Sequence, residues 1–340
     1  MMRRWTVAAC LAGLATVTAG CSGVPELPEM IDGDWQPAVL TAVRATATDA
    51  VTLVFDEEVN LQEIAITPEQ SVSGSRWTGA GLEVQLGGAL EPGAEYWIDA
   101  RVEDVAGNIS SVLVSFYGLN PRLPPVLINE VVCEGSGNHT DWVELRTTAA
   151  GNLGGLTLYE GTPTVWDSRF VFPAVEVDAG AFLVVHFKPE GIPEEIDETE
   201  DSADSGGRDA TPGGWDFWVV GGDGIPNTTG ALSLAPFPGG PVGDAILYTT
   251  KSYDAADPLR GFGLASQLEM MEELTAAGSW NTAGDEVIPE DLFDPEDSTA
   301  TRSINRTPGA PDSDSPLDWH IGPTSSASPG APNTTEHYVP

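Results

Sequence analysis

Asp312-Ser-Asp314-Ser-Pro-Leu-Asp318 sets carboxylates at the first, third and seventh places of one short stretch. Hard cations are held by loops that gather carboxylate and carbonyl oxygens, and alternate positions of a turn point inward together. Asp312, Asp314 and Asp318 therefore offer a calcium site, although the stretch lacks the glycine and the closing bidentate glutamate of an EF-hand. The competing reading is a solvated acidic turn in an acidic protein. Glu130 and Glu144 fall within "INEV" and "DWVEL", on adjacent expected strands, where two carboxylates can approach as a general acid/base pair. Such a pair works when burial or a like charge raises one pKa. The structural alternative, carboxylates bonded to loop backbone, is favoured here. His139, His186, His320 and His337 show neither HxH nor HxxxH spacing, and no cysteine pair accompanies them, so a zinc site has no support. GxSxG, a Walker loop and a GxGxxG that opens a helix are all lacking. No catalytic residue is assigned and no cofactor is required. Trp215 and Trp218, in "GGWDFWVV", are candidate binding aromatics, because exposed tryptophans dominate recognition energy; period-two alternation would instead bury every other one.

Charge narrows the partners. The 340 residues carry 14 basic and 52 acidic side chains, a net charge of −38, and only Lys188 and Lys251 are lysines. A field of that sign repels phosphate backbones, which excludes nucleic acid as a partner. It suits cations, or plain solubility. With 41% hydrophobic residues and ten tryptophans, the chain is globular, and its length suggests two domains.

Two arginines precede an apolar run from Thr6 to Thr18, too short for a membrane span, and the run ends Val17-Thr18-Ala19-Gly20-Cys21. Small residues leading into a cysteine resemble the lipobox of bacterial lipoproteins. Thr18 departs from that pattern, where leucine is usual, so an ordinary secretory signal stays open. The resemblance implies a signal peptide over 1–20, lipidation of Cys21, and attachment to an outer membrane or cell surface through lipid alone. Cys10 would leave with the signal and Cys21 would be acylated, so Cys133 stands alone and no intramolecular disulfide is expected.

The elements that must position these residues are strands. A Pro/Gly/acid-rich tether, 21–34, precedes a period-two pattern whose best stretch is Tyr96-Trp-Ile98-Asp-Ala100-Arg-Val102-Glu. Turn phrases "EPGAE" and "DVAGN" separate such runs. Asp104 and Asn108 read as caps of their own turn rather than ligands. Residues 35–118 resemble the bacterial Ig-like domains of surface-layer proteins through "VTLVFDEEV" and "LEPGAEYWIDARVEDVAGN". A proline-rich linker, 119–125, leads to residues 126–333, which resemble the lamin-tail domain through "INEV", "DWVEL", "LGGLTLYEG", "VDAGAFLVVHF" and "GDAILY". Arg146-Thr147 stands where that family carries an aromatic and Asn. The expected fold class is all-β: two antiparallel Ig-like β-sandwich domains in tandem, the second with long insertions and one short helix. Those insertions fall at about 190–214 and 250–300, and 334–340 reads as a disordered tail.

Three local features complete the reading. "EEIDETEDSADSGGRD" (194–209) is expected to be a solvated, mobile loop. Leu264, Leu268, Met271 and Leu274 have helical spacing, with Gly278 as C-cap. Thr307-Pro-Gly-Ala-Pro-Asp312 is echoed by Ser328-Pro-Gly-Ala-Pro-Asn333; the second fits the closing phrase of the lamin-tail pattern, and each should stop a strand. The expected function is a non-catalytic cell-surface lipoprotein that presents a binding or scaffolding β-sandwich, with an unidentified protein or glycan as ligand. Alternatives are a cation-dependent envelope or matrix component and an accessory part of an extracellular hydrolase system.

Overall fold

The computed structural model describes residues 34–137 and 139–340, so the leader, Cys21 and the tether up to residue 33 lie outside the described residues. The first half contains β1 (Leu40–Ala47), β2 (Ala50–Phe55), β3 (Val59–Thr67), β4 (Val72–Trp77), β5 (Leu82–Leu86), β6 (Glu95–Asp104) and β7 (Ile109–Tyr117). Strict alternation makes these strands: in β6, Tyr96, Ile98, Ala100 and Val102 are buried while Glu95, Asp99 and Arg101 are exposed. Two sheets, ordered β1-β2-β5-β4 and β3-β6-β7, enclose a core that includes Val51, Leu53, Val84 and Ile98. All the pairings are antiparallel.

The second half begins with β8 (Val126–Val132), β9 (Trp142–Thr147), β10 (Gly151–Asn152), β11 (Thr157–Gly161), β12 (Trp166–Val171) and β13 (Glu176–Val177). It continues with β14 (Phe182–His186), β15 (Trp215–Trp218), β16 (Thr229–Ala235), β17 (Asp244–Thr249), α1 (Ala265–Ala276), β18 (Ile304–Arg306) and β19 (Trp319–Ile321). A six-stranded sheet, β15-β14-β9-β8-β18-β19, lies over a four-stranded one, β12-β11-β16-β17. Leu145, Val185, Phe217, Leu232, Ile246 and Trp280 belong to the core between them. The described residues are thus all-β with one short α-helix. One pair, β14 with β15, is parallel, because the long acidic segment between them provides the crossover that parallel strands need.

β8, β9 and β14 are largely buried on both faces, and the buried polar groups that interrupt their apolar residues, Asn129, Glu130 and Glu144, are hydrogen-bonded. Val132, Trp142 and Val184 form a second, outer cluster against which Ala327 packs. The acidic segment helps to cover this face, and its expected mobility is corrected. Glu198 is buried and accepts from the Ser205 and Asp216 amides at 3.0 and 2.7 Å. Asp197 accepts from the Trp218 amide at 2.8 Å, and Glu195 from the Glu190 and Gly191 amides at 2.6 and 2.7 Å. These carboxylates satisfy backbone donors that no strand reaches.

Two further expectations are corrected. Leu264 is the N-cap of α1 and is 59% exposed; Met270, Met271 and Leu274 form the buried face, with Leu268 partly buried. Gly278, at φ +76°, ends the helix as expected, and Ser279 donates back to the Leu274 carbonyl. Residues 334–340 are not a free tail: the Tyr338 amide donates to the Ile321 carbonyl at 2.7 Å, and His337 stacks on His320. Among the described residues, no helix is long and apolar enough to cross a membrane.

Candidate functional site

The sandwiches meet through two glycine turns. A Cβ on Gly93, which has φ +72°, would lie 1.9 Å from the Gly155 nitrogen, so only bare backbone fits at this contact. The linker is stapled down as well. Asn120 Nδ2 donates to the carbonyls of Asn152 and Gly154 at 2.7 and 2.8 Å, and the Asn152 amide donates to the Arg122 carbonyl. Close apposition leaves a cleft of about 530 Å³ beside the joint.

Its walls come from both halves. Trp97 occupies the polar face of β6, out of phase with the apolar set, and is 45% exposed between its small cross-strand partners Thr67 and Ser115. Phe237, 42% exposed, stands across from the first sandwich at the tip of the β16–β17 hairpin. Pro238 and Gly239, with φ +76°, form the middle of that turn, and the Gly240 amide closes it on the Phe237 carbonyl. Arg169 of β12 lies over the Trp166 ring at 4.9 Å and reaches the Tyr117 hydroxyl, which in turn donates to Glu95 at 3.4 Å. Arg44 of β1 also lines the cleft and is exposed. Two arginines against one glutamate make this a locally basic spot on an acidic protein. Exposed rings with a few polar groups are what a ligand-holding cleft requires.

The aromatics expected to bind from sequence sit elsewhere. Trp218 is 4% exposed, stacks on His186 with ring centroids 3.9 Å apart, and donates through Nε1 to Ser205. That corrects its reading as an exposed recognition residue: the acidic segment covers it. Trp215 is partly buried against the core. Trp97 was legible as a tryptophan on the charged face of an alternating strand; Phe237 in "APFPGG" gave no such signal.

Of the three candidate calcium ligands, Asp312 and Asp314 come together, and Asp244 joins them with carboxylate oxygens within 4.8 Å of one another. Asp318 is outside this group: it accepts from the Ser313 and Ser315 amides at 3.0 and 3.2 Å and caps a short turn. Arg306 is already seated among the others. Its Nη1 donates to Asp312 at 2.7 Å, its Nη2 to both oxygens of Asp244 at 2.8 and 2.9 Å, and its Nε to the Ile128 carbonyl at 2.7 Å. Asp104 accepts from the Ala106 and Asn108 amides at 2.8 Å each, capping its turn.

Glu130 and Glu144 pair across β8 and β9 and are both fully buried. Burial raises both carboxyls, Glu144 to about 8 with Glu130 adding repulsion. Their oxygens are nevertheless occupied. Glu130 accepts from the Ser303 hydroxyl and from the amide and hydroxyl of Ser328; Glu144 accepts from Asn129 Nδ2 and the Gly330 amide, each at 2.6 Å. Asn333 Nδ2 completes the clasp, donating to the carbonyls of Asn129 and Arg306 at 2.8 and 2.9 Å. The closing phrase is therefore a strap, held by two buried carboxylates and two asparagines. The earlier copy makes the turn between β18 and β19. Cys133 is buried and its thiol is pushed up to about 12, which leaves it unreactive.

A Treponema pallidum (strain Nichols) protein described as uncharacterized is 25% identical over 175 residues, 50% of this chain and 44% of that one. The chain thus spans less than half of that relative's length. A crystal structure of a DUF4876 family protein from Bacteroides thetaiotaomicron VPI-5482 aligns with 83% of this chain and 92% of its own. Its 10% identity and TM-score of 0.30 are too low to transfer anything. Residues 124–321, more than half of the chain, match the family model TP_1001_2nd, described as protein second domain, and the chain belongs to that family.

Proposed function

We propose that this is a non-catalytic, lipid-anchored protein of the bacterial cell envelope that holds a ligand in the cleft between its two sandwiches. The observation that carries the reading is Trp97, an exposed ring on an otherwise charged strand face, with Phe237 contributed by the other half. Aromatic anchors of this kind supply most of the energy of recognition. The Ig-like and lamin-tail resemblances of residues 35–118 and 126–333 fit a module that presents rather than transforms. The buried glutamates support it too, since their oxygens are committed to the strap.

Ligand-observed NMR with N-acetyltryptophanamide, short proline peptides and N-acetylglucosamine oligomers tests the cleft. At least one probe is expected to bind the parent and to lose binding in Trp97→Ala and Phe237→Ala. Trp97→Ala should shift stability by no more than about 0.5 kcal/mol, because the site is a surface one. Binding that survives both substitutions would sink the reading. Anchoring is checked separately: the full chain should partition into detergent, and Cys21→Ser should move it to the aqueous phase.

A further inference from the structure

We infer that the occupant of this cleft is an extended polypeptide segment, which pairs with the open edge of β1 and sets an acidic side chain against Arg44. The inference rests on reading the cleft as a ligand site.

Three sheet edges converge there. β1 is the outer strand of β1-β2-β5-β4, β7 of β3-β6-β7, and β12 of β12-β11-β16-β17, and each contributes lining residues. An edge strand presents a row of backbone N–H and C=O groups that no neighbouring strand satisfies. Most such edges are blunted. β1 is blunted too, by register shifts between Leu40 and Ala42 and between Ala45 and Ala47, but Ala42–Ala45 between them pairs regularly with β2. That leaves a short edge that faces β7 across the cleft; Ser110 of β7 donates to the Ala38 carbonyl just before β1, but the two strands share no backbone ladder. A sugar or an isolated ring would leave its hydrogen bonds to water, whereas a strand completes them.

The walls suit a strand as well. Successive side chains of an extended chain point to opposite sides. One set can then rest on Trp97 of the first sandwich, and the alternate set on Phe237 of the second.

Charge selects within polypeptides. Arg169 is already engaged by the Trp166 ring and the Tyr117 hydroxyl. The Arg44 side chain makes no hydrogen bond or ion pair among the described residues. It fits a single carboxylate on the ligand, since a long polyanion would be repelled by the net charge of −38.

The probe is a phage-displayed library of random linear peptides, selected on the detergent-purified full chain. Enriched peptides are expected to alternate aromatic or β-branched residues around one Asp or Glu. In the best synthetic peptide, N-methylation at alternate positions should weaken binding about tenfold or more, while the intervening positions tolerate it. Arg44→Glu should shift preference to the Lys-for-acid analogue by a similar factor without changing the melting temperature. Hydrogen exchange of the Ala42–Ala45 amides should slow on binding. Two results overturn the proposal: selected peptides that ignore both N-methylation and Arg44→Glu, or no enrichment while the saccharide or ring probes bind in a Trp97-dependent way. The second leaves the cleft reading standing. If neither peptides nor small probes depend on Trp97, both fall.

Discussion

Arg306→Ala is expected to destabilise the second sandwich by about 3–5 kcal/mol, the cost of stranding a buried charge. Asp244 is 1% exposed, and its two oxygens accept from the Arg306 guanidinium and from the Ile128 amide. Without Arg306, that carboxyl, already raised to about 7 by burial, keeps one neutral donor beside its acidic neighbours Asp312 and Asp314. The substitution also removes the guanidinium from the Trp319 ring, where it lies 4.6 Å away, and frees the Ile128 carbonyl. Urea unfolding measures the cost. The double variant Arg306→Met, Asp244→Asn should recover much of it, because both charges then go together. Should Arg306→Ala cost under about 1 kcal/mol, the cluster behaves as an exposed pair and its burial is overstated.

Stability is expected to fall as pH rises from 4.5 to 8: burial raises Asp244 and Glu160 to about 7, and above both stands Glu144. Its carboxyl is pushed from the ordinary 4.5 up to about 8, first by burial and then by Glu130 beside it. In that window the folded chain keeps a proton that the unfolded chain has released. The folded state therefore binds more protons, and stability declines with pH by up to about 1.4 kcal/mol per unit for one such group. The contribution is fully present below 4.5 and gone above 8. Glu130 is raised in the same direction and steepens the fall. Glu144→Gln should make the profile shallower, with Asp244 and Glu160 still titrating: less stable than the parent at pH 5, where one backbone or Asn129 donor loses its acceptor, and equal to it or better at pH 8. Removing the strap from Ser328 onward deprives both carboxylates of donors and should cost more than either substitution. Urea midpoints at the two pH values decide this, and a variant that keeps the parent's slope assigns the pH dependence to other groups.

Much of the architecture is written in local pattern. Alternation in "YWIDARVE" dictates both that β6 is a strand and which of its faces is buried, because side chains of an extended chain must point to opposite sides. The Pro-Gly pairs at 238–239, 308–309 and 329–330 dictate turns by the same local rule, since proline fixes one φ and glycine takes the positive one. Helical spacing located α1, though not which of its ends is buried. Trp97 stands out of phase with the apolar set of its strand, a signal that alternation carries although the binding aromatics expected from sequence are Trp215 and Trp218.

What tertiary structure decided is everything that depends on a partner far along the chain. Glu130 and Glu144 receive donors from 173 to 198 residues away, so sequence could suggest a backbone-bonding role but not the strap that fills it. Asp244 reaches the Asp312 region across the sandwich, while Asp318, close by in sequence, is spent on its own turn. The 194–209 segment reads as solvated charge until the amides of Ser205, Asp216 and Trp218 are seen to need its carboxylates. Trp218 reads as a recognition residue until that segment covers it. A hydrogen bond or an ion pair is blind to sequence separation, whereas the period of a strand is not, and that difference sets the boundary between what the residues determined and what folding chose.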